Sequence, residues 1–116
     1  MRRLSYMFTL AALFASPVFP AEQQKVCVKY EQEIGWSKSY RVDATIVKGT
    51  ELIRATSDYF RFNSFSTYAV IFWEKDQATI LEMPPLSMGN VPMLDSTVQD
   101  MEGRNWQIRR GNSLCF

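Results

Sequence analysis

Histidine is absent from the 116 residues. That removes Ser-His-Asp triads, histidine-paired cysteines and every histidine-dependent zinc or haem site. Cysteine is scarce, and with only two a four-ligand Cys/His zinc cluster cannot be assembled within one chain. The five glycines are isolated from one another, so no Gly-rich phosphate loop can form. An excess of charge of either sign is missing too. Thirteen Lys+Arg against 12 Asp+Glu give a formal charge of +1, too little for the electrostatic footprint of a nucleic-acid binder. What remains is 47% hydrophobic, a fraction suited to a globular core and too high for a disordered tail. No cofactor is expected.

Residues 1–21 read as a secretory signal peptide. Arg2 and Arg3 supply a positive start, residues 4–14 an apolar stretch, and Ser16, Pro17 and Pro20 break any helix before Ala21 and Glu22. The stretch is shorter than the about 20 residues a bilayer span needs, so no stable membrane span is expected after processing. Cleavage after Ala21 sets Phe19 where a small residue is preferred, which leaves Ala15 or Ser16 as alternative sites and an uncut N-terminal anchor as the alternative reading. Arg2 and Arg3 are the only charges in this segment, so residues 22–116 carry 11 Lys+Arg against 12 Asp+Glu, a net −1. The expectation is one exported domain, 22–116, periplasmic or secreted.

Both cysteines, Cys27 and Cys115, lie in that domain near its two ends. An even count in an oxidising compartment reads as one disulfide. Between them alternation dominates. Val26, Val28 and Tyr30 alternate with Cys27, Lys29 and Glu31, and Val42, Ala44 and Ile46 repeat the pattern. Further strands are predicted at 68–74, 78–83, 93–99 and 106–110, with a terminal one at 114–116 and hairpin turns at 75–77 and 100–103. Pro84, Pro85, Gly89, Asn90 and Pro92 mark a loop. Only 50–57 has helical character. The predicted class is all-β: a small antiparallel barrel or sandwich of about six strands, with at most one short helix. Pairing of the first and last strands would set Cys27 and Cys115 on one face and close the barrel with a disulfide.

Candidate chemistry is sparse. Glu31 and Glu33 have strand spacing and could form a general acid/base pair, the basis of a carboxylate-hydrolase alternative. Asp95, Asp100 and Glu102 lack calcium-loop spacing and read as turn residues. Ser37 and Lys38 are neighbours in sequence, without the buried amine of a Ser-Lys dyad. Aromatic residues are the stronger signal. Tyr59, Phe60, Phe62, Phe65, Tyr68, Phe72 and Trp73 crowd one stretch, and both faces of Val70, Ile71, Phe72 and Trp73 are apolar. Either this strand is covered on both sides or it exposes a patch for self-association, as in a structural subunit of an envelope assembly. Trp36 lies between strands, where a tryptophan is a favoured interface anchor. Arg104, Arg109 and Arg110 could form a basic edge beside Trp106. Trp36, Tyr59, Trp73 and Arg109 are therefore the candidate binding residues.

The run Phe72, Trp73, Glu74, Lys75, Asp76, Gln77, Ala78 and Thr79 resembles the hairpin of the periplasmic C-type lysozyme inhibitors. That family consists of small exported β-barrels stapled by a disulfide. Its Ser-Gly loop has no counterpart here, Thr56, Ser57, Asp58 and Tyr59 being the nearest stretch. The resemblance implies a protein-binding role. It agrees with the reading from composition: an exported protein-binding module, of inhibitor or immunity type, with another protein as its partner.

Overall fold

The computed structural model describes residues 22–74, 76–85, 90–111 and 115. The signal peptide at 1–21 lies outside the described residues, as does the terminal strand expected at 114–116 apart from Cys115, which belongs to no strand. Among those described, the elements are β1 (Glu22–Tyr30), β2 (Tyr40–Lys48), α1 (Gly49–Thr56), β3 (Thr67–Glu74), β4 (Gln77–Glu82), β5 (Ser96–Gln99) and β6 (Asn105–Arg110). The six strands form one antiparallel sheet in the order β4-β3-β2-β1-β6-β5. The sheet curls into a half-barrel, and an isolated bridge between Leu81 and Asp100 joins its two ends. The all-β class and the single short helix thus hold. Among the described residues the architecture is one curled sheet, with no second sheet packed against it.

Period-2 patterning places the side chains. Val26 and Val28, Ala44 and Ile46, Ala69 and Ile71, Leu81, Val98, Trp106 and Ile108 point inward and form the main core. The intervening residues of β2 to β4 point outward, and there Val47, Tyr68, Val70, Ala78 and Ile80 meet Leu52, Ile53 and Phe62. Thus β3 is covered on both sides, because α1 and the 57–66 loop lie over its outer face. Val70 and Ile71 are fully buried, which takes both out of any self-association surface. Phe72 alone of that run is exposed.

α1 starts where Gly49 lets the chain approach another backbone segment. A Cβ at Gly49 would stand 1.8 Å from the Asn63 carbonyl oxygen, far inside contact distance. The helix ends at Ser57, which takes the left-handed conformation (φ 58°) and donates its N–H to the Ile53 carbonyl. Phe62 and Tyr68 meet edge to face at 5.4 Å, and the Tyr68 hydroxyl accepts the Asn63 N–H at 2.7 Å. β5 begins later than alternation suggested, because Pro92 sits beside β6 and accepts the Arg110 N–H through its carbonyl. Met93 and Leu94 then stay in solvent.

Cys27 and Cys115 are bonded, with Cα atoms 5.5 Å apart. β1 pairs with β6, the last described strand, whereas the expected pairing was with a strand at 114–116. The bond does not close the barrel, however. Cys27 projects outward from β1 between Arg41 on β2 and Arg109 on β6, in the middle of the sheet. The seam lies instead between β4 and β5. The disulfide therefore pins Cys115 to the back of the sheet, the side on which Gly111 donates its N–H to the Lys25 carbonyl and accepts from Arg41.

Two stability measurements follow. The bond spans 88 residues, and loss of so long a closure costs about 4–5 kcal/mol in the chain-entropy model. Urea unfolding of Cys27→Ser/Cys115→Ser against the oxidised chain should show a loss of that order; equal midpoints would place the stabilisation elsewhere. Gly49→Ala should cost about 1–3 kcal/mol or more by forcing the helix off Asn63. An unchanged midpoint would mean that the 57–66 loop yields freely.

Candidate functional site

Three hairpin loops gather at one end of the half-barrel: 31–39 between β1 and β2, 75–76 between β3 and β4, and 100–104 between β5 and β6. The inward residue beside each loop is aromatic. Tyr30 ends β1, Tyr40 begins β2, Trp73 lies near the end of β3 and Trp106 near the start of β6. They close into a ring of contacts. Tyr30 stacks on Tyr40 at 6.4 Å, Tyr40 meets Trp73 edge-on at 5.7 Å, Trp73 stacks on Trp106 at 6.1 Å, and Trp106 tilts against Tyr30 at 5.3 Å. β3 and β6 are three strand spacings apart in the sheet order, about 14 Å if the sheet were flat. Curling brings their indoles together.

A cleft of about 330 Å³ opens beside these rings, lined also by Gln77, Thr79 and Arg104. Two local devices aim its walls. The β3–β4 register shifts between Phe72 and Glu74, leaving Trp73 as the extra residue of a bulge, a usual way of re-aiming a side chain. Its indole N–H donates to the Thr79 hydroxyl at 2.8 Å. Asp100 fixes the other side. One of its carboxylate oxygens accepts the N–H groups of Glu102 and Arg104, each at 2.9 Å, and the other accepts the Trp106 indole N–H at 3.0 Å. Asp100 is thus the turn residue its sequence context suggested, and it also orients a wall of the cleft.

Two cations lie against the tyrosines. Lys38 Nζ is 5.2 Å from the centre of the Tyr40 ring, and the Arg104 guanidinium 5.4 Å from that of Tyr30. Such contacts contribute about 0.5–1 kcal/mol at exposed sites. Among the described residues neither cation has a carboxylate partner. The cleft therefore combines flat apolar walls with the positive charge of Arg104, and Lys38 lies against the ring of one of its tyrosines.

The four candidate binding residues do not form one surface. Trp73 is in the cleft. Trp36 is half-buried in the 31–39 loop at the same end, paired with Glu31 in an isolated bridge, and does not line the cleft. Tyr59 is exposed at the opposite end, beside a depression of about 450 Å³ lined by Thr50, Ile53, Arg54, Phe62 and Ser64. Arg109 projects from the back of β6 and is half-buried, with its Nε 3.4 Å from an Asp95 carboxylate oxygen. The sequence places Arg104 beside Trp106, but does not bring either of them to Tyr30 and Tyr40. The signal was present as an inward aromatic beside each of three hairpin loops.

The expected carboxylate pair is not assembled. Glu31 lies just beyond β1, and the chain turns at once: the Gln32 N–H donates to the Gly35 carbonyl, with Gly35 at φ 76°. Both Glu31 and Glu33 are solvent-exposed, and Glu31 accepts the Asn105 side-chain N–H. Neither has the burial a general acid needs. The Ser37 hydroxyl is engaged with the backbone of Tyr30 and Lys38, and Lys38 is turned to Tyr40. No group of three or more acidic or cysteine side chains that could hold a metal ion occurs among the described residues. Comparison with protein-family models, curated proteins and solved structures yields no match for this chain.

The Tyr40 phenol is pushed above the ordinary value of 10.0 by desolvation first, then by the charge and hydrogen bonding of Tyr30 beside it. As pH rises past 10.0, the unfolded chain ionises first. The stability contributed by the neutral phenol is complete below that pH and is lost as pH climbs through the folded-state value. Near-ultraviolet absorbance titration of the wild type minus Tyr40→Phe should give a difference curve centred above 10.0. A midpoint at or below it would mean that water reaches the phenol freely.

Proposed function

We propose that this chain is an exported protein-binding module of inhibitor or immunity type, acting in the periplasm or outside the cell. Its partner is gripped at the aromatic end of the half-barrel. The observation that carries this reading is the cleft itself, with Tyr30, Tyr40, Trp73 and Trp106 in mutual contact and Arg104 at its edge. Aromatic residues and Arg dominate binding hot spots, because they offer large rigid contact areas at low entropic cost. Three loops around the cleft supply a polar rim, the other half of a usual interface. The Ile34 side chain stands exposed on one of them.

Export is supported by the signal-like start of the sequence and by the disulfide, which persists in oxidising compartments. The residues that resemble the lysozyme-inhibitor hairpin include Trp73, Gln77 and Thr79, all of which line the cleft. A carboxylate-bearing segment, such as an acidic loop or an acidic active-site cleft, fits the charge of Lys38 and Arg104.

Immobilised, oxidised protein presented with envelope extract and a panel of C-type lysozymes should capture a saturable partner. Arg104→Ala and Trp73→Ala should each weaken capture about tenfold or more, as expected for a loss of at least about 1.4 kcal/mol at a hot spot. Tyr59→Ala and Arg109→Ala should leave capture unchanged. Retention by both cleft variants would move the interface elsewhere, and the absence of any saturable partner would overturn the reading.

A further inference from the structure

The end of the half-barrel opposite the cleft carries a different surface. The 57–66 loop is firmly built. Phe62 is buried against Tyr68, Asn63 is hydrogen-bonded to the Tyr68 hydroxyl, and Gly49 lets the helix close on it. Within the loop the Asp58 carboxylate accepts the Arg61 N–H at 3.1 Å, and the Asn63 side chain accepts the Phe65 N–H at 2.9 Å. Yet this anchored loop holds Tyr59 at 74%, Phe60 at 102% and Phe65 at 97% exposure. Side chains fixed outward by an ordered backbone are presented to something.

The position of the N-terminus says what. Glu22, the first residue of β1, pairs with Ile46 near the end of β2, three residues before α1 begins. The chain therefore enters the domain at the end that carries α1 and the 57–66 loop. The sequence before Glu22 contains the apolar stretch 4–14 behind Arg2 and Arg3. Any attachment of that stretch to a bilayer, during export or after it, holds this end toward the lipid.

We infer that the 57–66 loop docks on a lipid surface, with Phe60 and Phe65 inserted at the interface and Tyr59 and Arg54 at headgroup level. Arg54 is exposed in the last turn of α1, beside Tyr59, and among the described residues has no carboxylate partner. A lipid suits the geometry better than a protein does. Phe60 and Phe65 protrude outside the depression lined by Arg54, Tyr59 and Phe62, and acyl chains close around a protruding ring. Aromatic and basic residues together are the usual composition of an interfacial anchor. Each phenylalanine moved out of water favours the bound state about tenfold or more. Two such residues give reversible docking, with the cleft facing away from the membrane.

The test uses the chain recovered after export, oxidised, with its N-terminus read by mass spectrometry. It should co-sediment with vesicles of phosphatidylethanolamine and phosphatidylglycerol, and less with phosphatidylcholine alone. Phe60→Ser/Phe65→Ser should lower that partition at least about tenfold with an unchanged melting temperature. In parallel, Phe60→Trp should add a fluorescence component that lipids brominated near the headgroup quench, over and above the response of the native tryptophans. That increment reports on the loop whether or not residues 1–21 have been removed. Its absence, or wild-type protein that stays in the supernatant, overturns the inference. The surface lies apart from the cleft, so Arg104→Ala should bind vesicles normally. Failure of partner capture with vesicle binding intact would count against the cleft reading alone.

Discussion

The outward side chains of Tyr68 and Val70 are buried only because Leu52, Ile53 and Phe62 lie over them, and the arrangement of the molecule depends on that contact. β3 carries a continuous apolar run, so both of its faces must leave water. The inner face is met by the curl of the sheet. The outer face has to be covered by something else, and the chain spends α1 and the 57–66 loop on it. Gly49 makes this cover close-fitting, since its missing side chain admits the Asn63 carbonyl. With the cover committed to one end, the other is left to the hairpin loops.

At that other end, curling does for the aromatic residues what sequence distance does not. Tyr30, Tyr40, Trp73 and Trp106 come from four strands, and each is adjacent to a loop and directed inward. Both indole N–H groups are satisfied within the protein, by Thr79 and Asp100. The two indoles therefore present apolar faces, with no stranded N–H to penalise burial by a ligand. The charge in the cleft wall comes from Arg104. Under the proposed protein-binding role, such a division between flat walls and a charged residue fits a shaped, acidic segment.

The molecule is consequently polarised along its strands. Chain entry, α1 and the exposed aromatics of the 57–66 loop occupy one end, and the cleft occupies the other. Over the nine residues of β2 the two are about 25–30 Å apart, far enough for two surfaces to be occupied at once. The disulfide takes part in neither. It pins Cys115 to the back of β1, where Arg41 also holds Gly111, and so stabilises the middle of the sheet on which both ends are built.

Strand content, the two hairpin turns, the short helix and the cysteine pairing were legible in the sequence, because each rests on local physics. Alternation sets which side chains share a face, turn residues set where strands reverse, and two cysteines in one domain have one intramolecular pairing. Coverage of β3 on both sides was legible as one of two outcomes, since a run apolar on both faces demands a cover without saying which segment supplies it. The sequence could not decide where the disulfide sits relative to the seam. That depends on strand order, and β1 proved central. Nor could it assemble the cleft, because the contact between Trp73 and Trp106 arises from the curl of the whole sheet and from a bulge at Trp73. Glu31 and Glu33 failed as a pair for the complementary reason. Their spacing matters only if the strand continues, and the turn through Gly35 ends it. Periodicity is written residue by residue, whereas curvature and strand order exist only once all the strands have packed.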